Sequence, residues 1–587
     1  MPIAEQIEAA SLAQRQIIDS QNAVYVQACP GAGKTRVLVE RAKRVLSELP
    51  SRRGVAILTF SNAAVEEIEK RFGREFPPFP SFIGTFDSFL WRFLIAPLGT
   101  QEAIAARLVP DIGDQMISPT MGNTSGKKMR DYPLRIFDRN TGQIRTNLMG
   151  DDRRLADQVS PVGQYQALAA AIWRARREAG FLDYEEARSL AQSRIDDAQF
   201  RPVLDALAAR FAELIVDESQ DCNPSDLGVI QSLRTRGLPV SVIGDPDQSI
   251  YGFRHGSAPE LHRYSTSYGV QQRHSLTGNF RSVGEVCGIA SLFRSPIEGD
   301  EIGALREPRS EADGAYLLTY RPRHNTVSDS VGQTFTEVIG AAGIDACEAP
   351  IVAHRENYAR RAIGLLSIER GQSGFVVRLA NSIAAYNAAA GHWRTKVKAI
   401  EDVGALIFEY RGLIQDGESF HQVLAKDQLE ISDFRAEIVE LISAISPVVG
   451  ESDNPRSWLD RSKAAFDERF EGGRTALFRM PSQKPLKNLQ DALSVRETTA
   501  SPVSTIHNVK GQEFPAICVV VPPSGAEDLF ERLERHQIEE PERVLYVGLT
   551  RAERISALAV PVVIGDRFIA LARSAGLVIK HINCEAE

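Results

Sequence analysis

The sequence is poor in cysteine and has no long apolar run. Six cysteines are scattered among 587 residues and no two form a Cys-x-x-Cys pair. A disulfide framework or a zinc site is therefore not expected, and a reducing compartment, the cytoplasm, is. No apolar stretch approaches the ~18 residues a membrane-crossing helix needs, so no membrane partner is expected. The first residues, Met1-Pro2-Ile3-Ala4-Glu5, lack a basic region followed by an apolar one, which argues against a secretory signal. An excess of positive charge is also missing. The formal net charge of −8 excludes a broadly basic coat for nucleic acid and leaves room for a local basic groove.

What remains is an ordinary globular composition, 43% hydrophobic and 25% charged. The length implies several cores, roughly three to five domains. Cys29 and Cys222 sit beside the nucleotide patterns described next and read as small packing residues, with a redox role as the alternative.

The strongest pattern lies at 23–35. Val24, Tyr25 and Val26 lead into Ala28-Cys29-Pro30-Gly31-Ala32-Gly33-Lys34-Thr35, and a helical pattern follows at once in Val37, Leu38, Val39, Ala42, Val45 and Leu46. Strand, glycine-rich loop and helix in that order is the setting a phosphate-binding loop requires, against the bland alternative of a glycine-rich turn. Gly31 and Gly33 permit a tight turn whose N–H groups aim at phosphate oxygens, and the helix beginning near Lys34 adds its positive end. Lys34 is expected to reach the β- and γ-phosphates of ATP, and Thr35 to offer its hydroxyl to Mg²⁺.

Residues 4–22 read as a helix before this loop. Within it, Gln16 carries an amide able to donate to and accept from an adenine edge, or simply faces water. Val55–Phe60 reads as a second strand, with Phe60 and Asn62 at its carboxyl end, where α/β proteins bind ligands. Phe82–Phe89 is a third such stretch. Leu214-Ile215-Val216 ends in Asp217-Glu218, two carboxylates at a strand end. Asp217 is suited to hold Mg²⁺ through water and Glu218 to orient or deprotonate an attacking water. A fourth buried strand, Val240–Ile243, precedes Gln248, Tyr251 and Phe253. Gln248 could sense the γ-phosphate. The two aromatics could stack on bases, worth ~1–3 kcal/mol each, or fill a core.

Between these strands, 121–154 is rich in Gly, Asn and Arg. Lys127, Lys128, Arg130, Arg135, Arg139, Arg145, Arg153 and Arg154 outnumber Asp131, Asp138, Asp151 and Asp152. Phosphate-backbone contact and a solvated loop are both consistent with that. Tyr165–Leu190 reads as helical. Leu276–Ser282 opens a second unit whose strands include Gly374–Arg378 and Ala516–Val521. The stretch 385–500 is mostly helical (Ile431–Ile445, for example), with a break rich in Gly, Pro and Ser at 446–456. Arg543–Ala552 reads as a helix start carrying a cation.

Taken together and in order, these strings resemble the UvrD/Rep-type branch of superfamily 1 DNA helicases. Leu12–Ile18 is similar to the family's Q motif, Ala28–Thr35 to motif I, Thr59–Ala64 to Ia, Gly84–Phe89 to Ib, and Asp217–Asp221 to II. Gly244–Arg254 resembles motif III, Leu276–Ser282 motif IV, Thr505–Phe514 motif V and Tyr546–Ala552 motif VI. The resemblance implies an α/β fold: two RecA-like P-loop NTPase domains, parallel sheets flanked by helices, each with a mainly helical insert. The implied boundaries are 1–94 and 201–272 for the first RecA-like domain and 95–200 for its insert. The second domain takes 273–385 and 501–587, with a reduced insert at 386–500.

The same resemblance implies roles. Gln16, Arg36 and Phe280 would hold adenine, Glu513 the ribose, and the loop Ala28–Thr35 the phosphates. Gln248 would couple the γ-phosphate to the DNA side. Arg281 and Arg551 would act as arginine fingers, worth ~10³–10⁵ in turnover in related phosphoryl transfer. Phe60, Asn62, Tyr251, Phe253, Thr505 and His507 would line the path of single-stranded DNA. Motif Ib departs from the family in carrying Asp87 where histidine is usual. The chain ends soon after motif VI, so no fused nuclease is expected. The implied function is an ATP-dependent helicase or translocase on single-stranded DNA, in repair or replication restart, moving 3′-to-5′ by family precedent. The alternative is a DNA-stimulated NTPase subunit that works with a separate nuclease, as in phage-defence systems of the Gabija type. A P-loop regulator that never meets nucleic acid leaves Phe60, Tyr251, Phe253 and the motif V residues unexplained.

Overall fold

The computed structural model describes residues 3–585 with breaks, the longest at 97–106, 120–129, 251–257, 295–301, 365–373, 415–419, 448–453 and 494–500. Lys127, Lys128, Tyr251 and Phe253 fall outside the described residues. The chain forms two compact units. One comprises Met1–Phe89, Gln192–Ile368 and Thr498–Glu587; the other comprises Leu90–Ala191 and Glu369–Glu497.

The first unit holds two six-stranded sheets, all parallel. Strands β1 (Tyr25–Ala28), β2 (Gly54–Thr59), β3 (Phe82–Thr85), β4 (Phe211–Val216), β5 (Val240–Gly244) and β6 (Arg273–Leu276) make one sheet in the order β6-β1-β5-β4-β2-β3. The second contains β7 (Gly314–Tyr320), β8 (Ile351–Ala353), β9 (Val503–Thr505), β10 (Phe514–Val520), β11 (Ala552–Pro561) and β12 (Lys580–Asn583), ordered β9-β8-β10-β11-β7-β12. Strands β2, β5 and β7 are buried along their whole length. That is why they read as unbroken apolar runs rather than as alternation: helices cover both faces of a parallel sheet. Each layered sheet is a RecA-like domain. The second RecA-like domain, expected from residue 273, starts later than that. Residues 273–276 pair with β1 and close the edge of the first sheet, so the crossover begins at Thr277.

Arg41, almost wholly buried, fixes the first helix, α1 (Ile3–Asp19), against α2 (Lys34–Ser47). Its guanidinium pairs with Glu213 at 2.9 Å and donates to the carbonyls of Ile17, Ser20 and Asn22 at 2.7, 3.0 and 2.8 Å. These are the carbonyls at and beyond the C-terminal end of α1, which lack partners within the helix.

In the second unit, one core forms around Trp173, Tyr165, Phe137 and Leu134, and another around Trp458, Tyr410, Phe466 and Ile442. Gly374–Arg378, expected as a strand, begins the helix Phe375–Ala388. Phe375, Val376, Leu379, Ala380 and Ile383 recur at helical spacing, and their burial in the all-helical core decides between two patterns a short apolar run leaves open. The expected helix Ile431–Ile445 is present with those bounds. Part of the positive charge of the 121–154 stretch is taken up internally. Arg135 pairs with Asp152, Arg139 with Asp183 and Glu185, and Arg153 with Asp157. Among the described residues, no helix is long and apolar enough to cross a membrane.

Candidate functional site

The loop between β1 and α2 is shaped by its glycines. Gly31 and Gly33 have φ of +72° and +78°, which disfavours any residue with a side chain. Space adds a second constraint. A Cβ on Gly31 would overlap the Asn279 side-chain oxygen and lie 2.7 Å from Arg281 Cβ, and one on Gly33 would lie 2.9 Å from Gln14 Nε2. Helix α2 starts at Lys34 with no side chain capping its first turn, so its leading N–H groups face the loop. Lys34 Nζ rests against the loop's own carbonyls, 3.3 Å from Ala28 O and 3.5 Å from Cys29 O. Thr35 follows it, half-buried. The Cys29 thiol is buried, and that burial pushes its pKa up to about 12, so it packs as a neutral side chain.

The glutamine expected at adenine does not face a cleft. Gln16 is exposed. Gln14 is buried and donates to Ala32 O at 2.8 Å. It lines a cleft of about 260 Å³ with Ala10, Ala13, Thr277, Gly278 and Phe280. The sequence held the signal: Gln14 shares a helix face with Ala10, Ile17 and Ile18, whereas Gln16 shares one with Leu12, which is 55% exposed. Arg36 is exposed. Phe280 N donates to Gly31 O at 3.0 Å, which fixes the crossover segment against the phosphate loop.

At the end of β4, Asp217 is buried and accepts from Glu218 N at 2.9 Å. Burial, and then the adjacent negative charge of Glu218, raise the Asp217 pKa well above the usual carboxylate range. Glu218 shifts the other way. Burial opposes its ionisation, but the charges of Lys34 and Lys510, the Gln220 amide and Arg551 together hold it below its ordinary value. Glu218 also has φ of +52°, rare for a residue with a side chain. Two adjacent carboxyls with pKa values pushed apart form an arrangement found at sites of acid–base work. Close by, the hydroxyls of Thr59 and Ser219 are buried without a hydrogen-bond partner.

Side chains from beyond the first sheet meet this strand end. Arg551 is buried and donates to Gln248 Oε1 at 3.1 Å and to Val547 O at 2.9 Å. Burial, and then the charge of Arg281, pull its pKa down to about 10, which leaves it protonated near neutrality. It lies just past the helix Glu540–Leu549, not at a helix start as expected. Arg281 donates to Thr550 O at 3.0 Å and pairs with Glu513. Glu513, expected at the ribose, is therefore engaged with Arg281 and half-exposed.

Sequence reasoning missed three further links between the sheets. Lys510 pairs with Asp221, Arg294 with Asp247 at 3.0 Å, and Arg543 donates to Ser249 O at 2.9 Å. Of the residues expected along DNA, Phe60 stacks on Phe86 with ring centroids 5.6 Å apart, and Asn62 is exposed at the start of a helix (Asn62–Phe72). Thr505 caps the turn Ile506–Val509. The His507 ring lies 3.2 Å from Ile250 O and 5.5 Å from the His354 ring. Burial, and then His354, lower the His507 pKa, so it is neutral near pH 7.

The model of the UvrD/REP helicase N-terminal domain matches residues 10–269, and that of the UvrD-like helicase C-terminal domain matches 457–558. The ATP-dependent DNA helicase PcrA of Staphylococcus epidermidis is 24% identical over 623 residues, spanning 91% of this chain and 81% of that protein. The putative ATP-dependent DNA helicase YjcD of Bacillus subtilis is 22% identical, spanning 93% of this chain and 78% of that protein. The Gabija protein GajB of Bacillus cereus is 25% identical over 287 residues, 48% of each chain.

Proposed function

Since the chain belongs to the UvrD-like family of ATP-dependent DNA helicases, we propose that it moves along single-stranded DNA, 3′-to-5′, by hydrolysing ATP between its two parallel sheets. The observation that carries this reading is the meeting of Arg551 from the second sheet with Gln248 of the first, beside Glu218. Phosphates seated on the Gly31–Thr35 loop would receive charge from Lys34 on one side and from Arg281 and Arg551 on the other. Glu218, held ionised by the surrounding cations, orients the attacking water and takes up its proton. Gln14 and Phe280 hold the base.

Asp217 and Thr35 fit a Mg²⁺ ion. The buried Asp217 carboxyl resists ionisation, and a divalent cation would offset that desolvation. When bound, Mg²⁺ neutralises charge on the phosphate oxygens. Closure of the cleft completes the set of charged groups, and release after hydrolysis reopens it. If the two sheets hold DNA best in different nucleotide states, the cycle moves the strand one way. Phe60, Asn62, Tyr251, Phe253, Thr505 and His507 are the proposed DNA contacts.

The test is strand displacement by the purified chain on a duplex with a 3′ single-stranded tail, with Lys34→Ala as control. Displacement that needs ATP and Lys34 is expected; no displacement and no ATP-dependent translocation on single strands would refute the reading. A second reading rests on the half-length likeness to a Gabija protein. In it the chain is a DNA-stimulated NTPase that needs a separate nuclease partner, and displacement appears only when that partner is added. The likeness to PcrA over 91% of the chain favours the first.

A further inference from the structure

The side chain of Gln220 is buried, and both ends of its amide are used. Its Nε2 donates to Glu218 Oε2, and its Oε1 accepts from the backbone N–H of Asp245 at 2.9 Å. Asp245 is itself a junction. Its carboxylate accepts from Gln248 Nε2 at 2.8 Å and from Tyr546 OH at 3.4 Å, and Gln248 Oε1 accepts from Arg551. An unbroken line of hydrogen bonds thus runs from Glu218 through Gln220, Asp245 and Gln248 to Arg551.

Two features show that this line is built into the fold. Glu218 has a left-handed backbone, unfavourable for a residue with a Cβ, so its orientation must be imposed by neighbours. Gly244 makes room for the contact, because a Cβ there would overlap Ser219 Oγ and lie 2.6 Å from Gln220 Oε1. The φ of Gly244 is not among the positive values, so the need at this position is for space.

We propose that Gln220 is a positioning residue for ATP hydrolysis: it holds the Glu218 carboxylate and ties it to the Asp245–Gln248 turn that Arg551 grips from the second sheet. The group that orients the attacking water is thereby placed by the same contact that brings the arginine in. A site with the sheets apart would keep its nucleotide and lose its aim. The inference rests on the hydrolytic role given above to Glu218, and the experiment separates the two.

ATP turnover and binding of a fluorescent ATP analogue are measured for the full chain with single-stranded DNA. The Gln220→Met variant preserves volume and removes both polar ends. It is expected to lower kcat on the order of 10²-fold, the scale for a misplaced catalytic group, with analogue affinity within about threefold. Gly244→Ala should reproduce that loss with Gln220 still present, and the double variant should be no worse than either alone. A kcat within about threefold of the parent, equal losses of kcat and affinity, or additive effects would overturn the proposal. Should Gln220→Met fail to fold, Gln220→Glu, which turns a carboxylate toward Glu218, must show the same kcat loss with affinity intact, or the proposal falls. Parent turnover that disappears in Glu218→Gln upholds the hydrolytic reading whatever the Gln220 variants do; a parent that never hydrolyses ATP ends both.

Discussion

Lys510 Nζ lies 2.6 and 2.7 Å from the two carboxylate oxygens of Asp221, and both side chains are less than a tenth exposed. The pair joins the helical turn after β4 of the first sheet to the loop before β10 of the second, and Lys510 also donates to Gln248 O at 3.1 Å. Desolvation makes such a pair a modest net stabiliser but makes its disruption costly. Asp221→Ala removes the carboxylate paired with a buried ammonium and is expected to destabilise the chain by about 3–5 kcal/mol. Asp221→Leu with Lys510→Met should restore most of that. Urea denaturation checks both; a single variant within about 0.5 kcal/mol of the parent would mean the pair is not buried in solution.

Gln14, not Gln16, lines the cleft proposed to hold the base. Gln14→Ala is expected to raise the KM for ATP on the order of tenfold and to weaken the preference for ATP over GTP, since the amide would no longer pair with the adenine edge. Gln16→Ala should change neither. Steady-state kinetics with both nucleotides decides, and an effect confined to Gln16→Ala would reverse the assignment.

Arg551, just before β11, and Arg281, on the crossover strand Gly278–Val283, are the proposed arginine fingers and would meet charge that develops late in phosphoryl transfer. Arg551→Ala and Arg281→Ala are each expected to lower kcat by about 10³-fold or more, with nucleotide affinity falling far less. Binding titrations beside turnover measurements separate the two effects. Equal losses in both would make these arginines binding or folding residues.

The parts of the fold that the sequence made legible are those whose cause is local. Strands buried on both faces announce themselves as apolar runs, as Val240–Gly244 does, and the strand–loop–helix around Gly31 and Lys34 is spelled in adjacent residues. Reading failed where tertiary burial chose between equal local options. Phe375–Val377 suits a strand until Leu379, Ala380 and Ile383 are buried on the same helix face. The choice between Gln14 and Gln16, by contrast, was legible in the apolar face that Gln14 shares with Ala10, Ile17 and Ile18. The links Lys510–Asp221 and Arg551–Gln248 join residues 289 and 303 positions apart, and no periodicity or spacing carries such information.

In the proposed function, ATP hydrolysis between the two sheets is controlled by DNA. Its most direct measurement is the ATP turnover of the purified chain with and without single-stranded DNA, alongside Lys34→Ala. Turnover that rises with DNA by on the order of tenfold or more and vanishes in the variant is predicted. Turnover indifferent to DNA, or retained without Lys34, would contradict it.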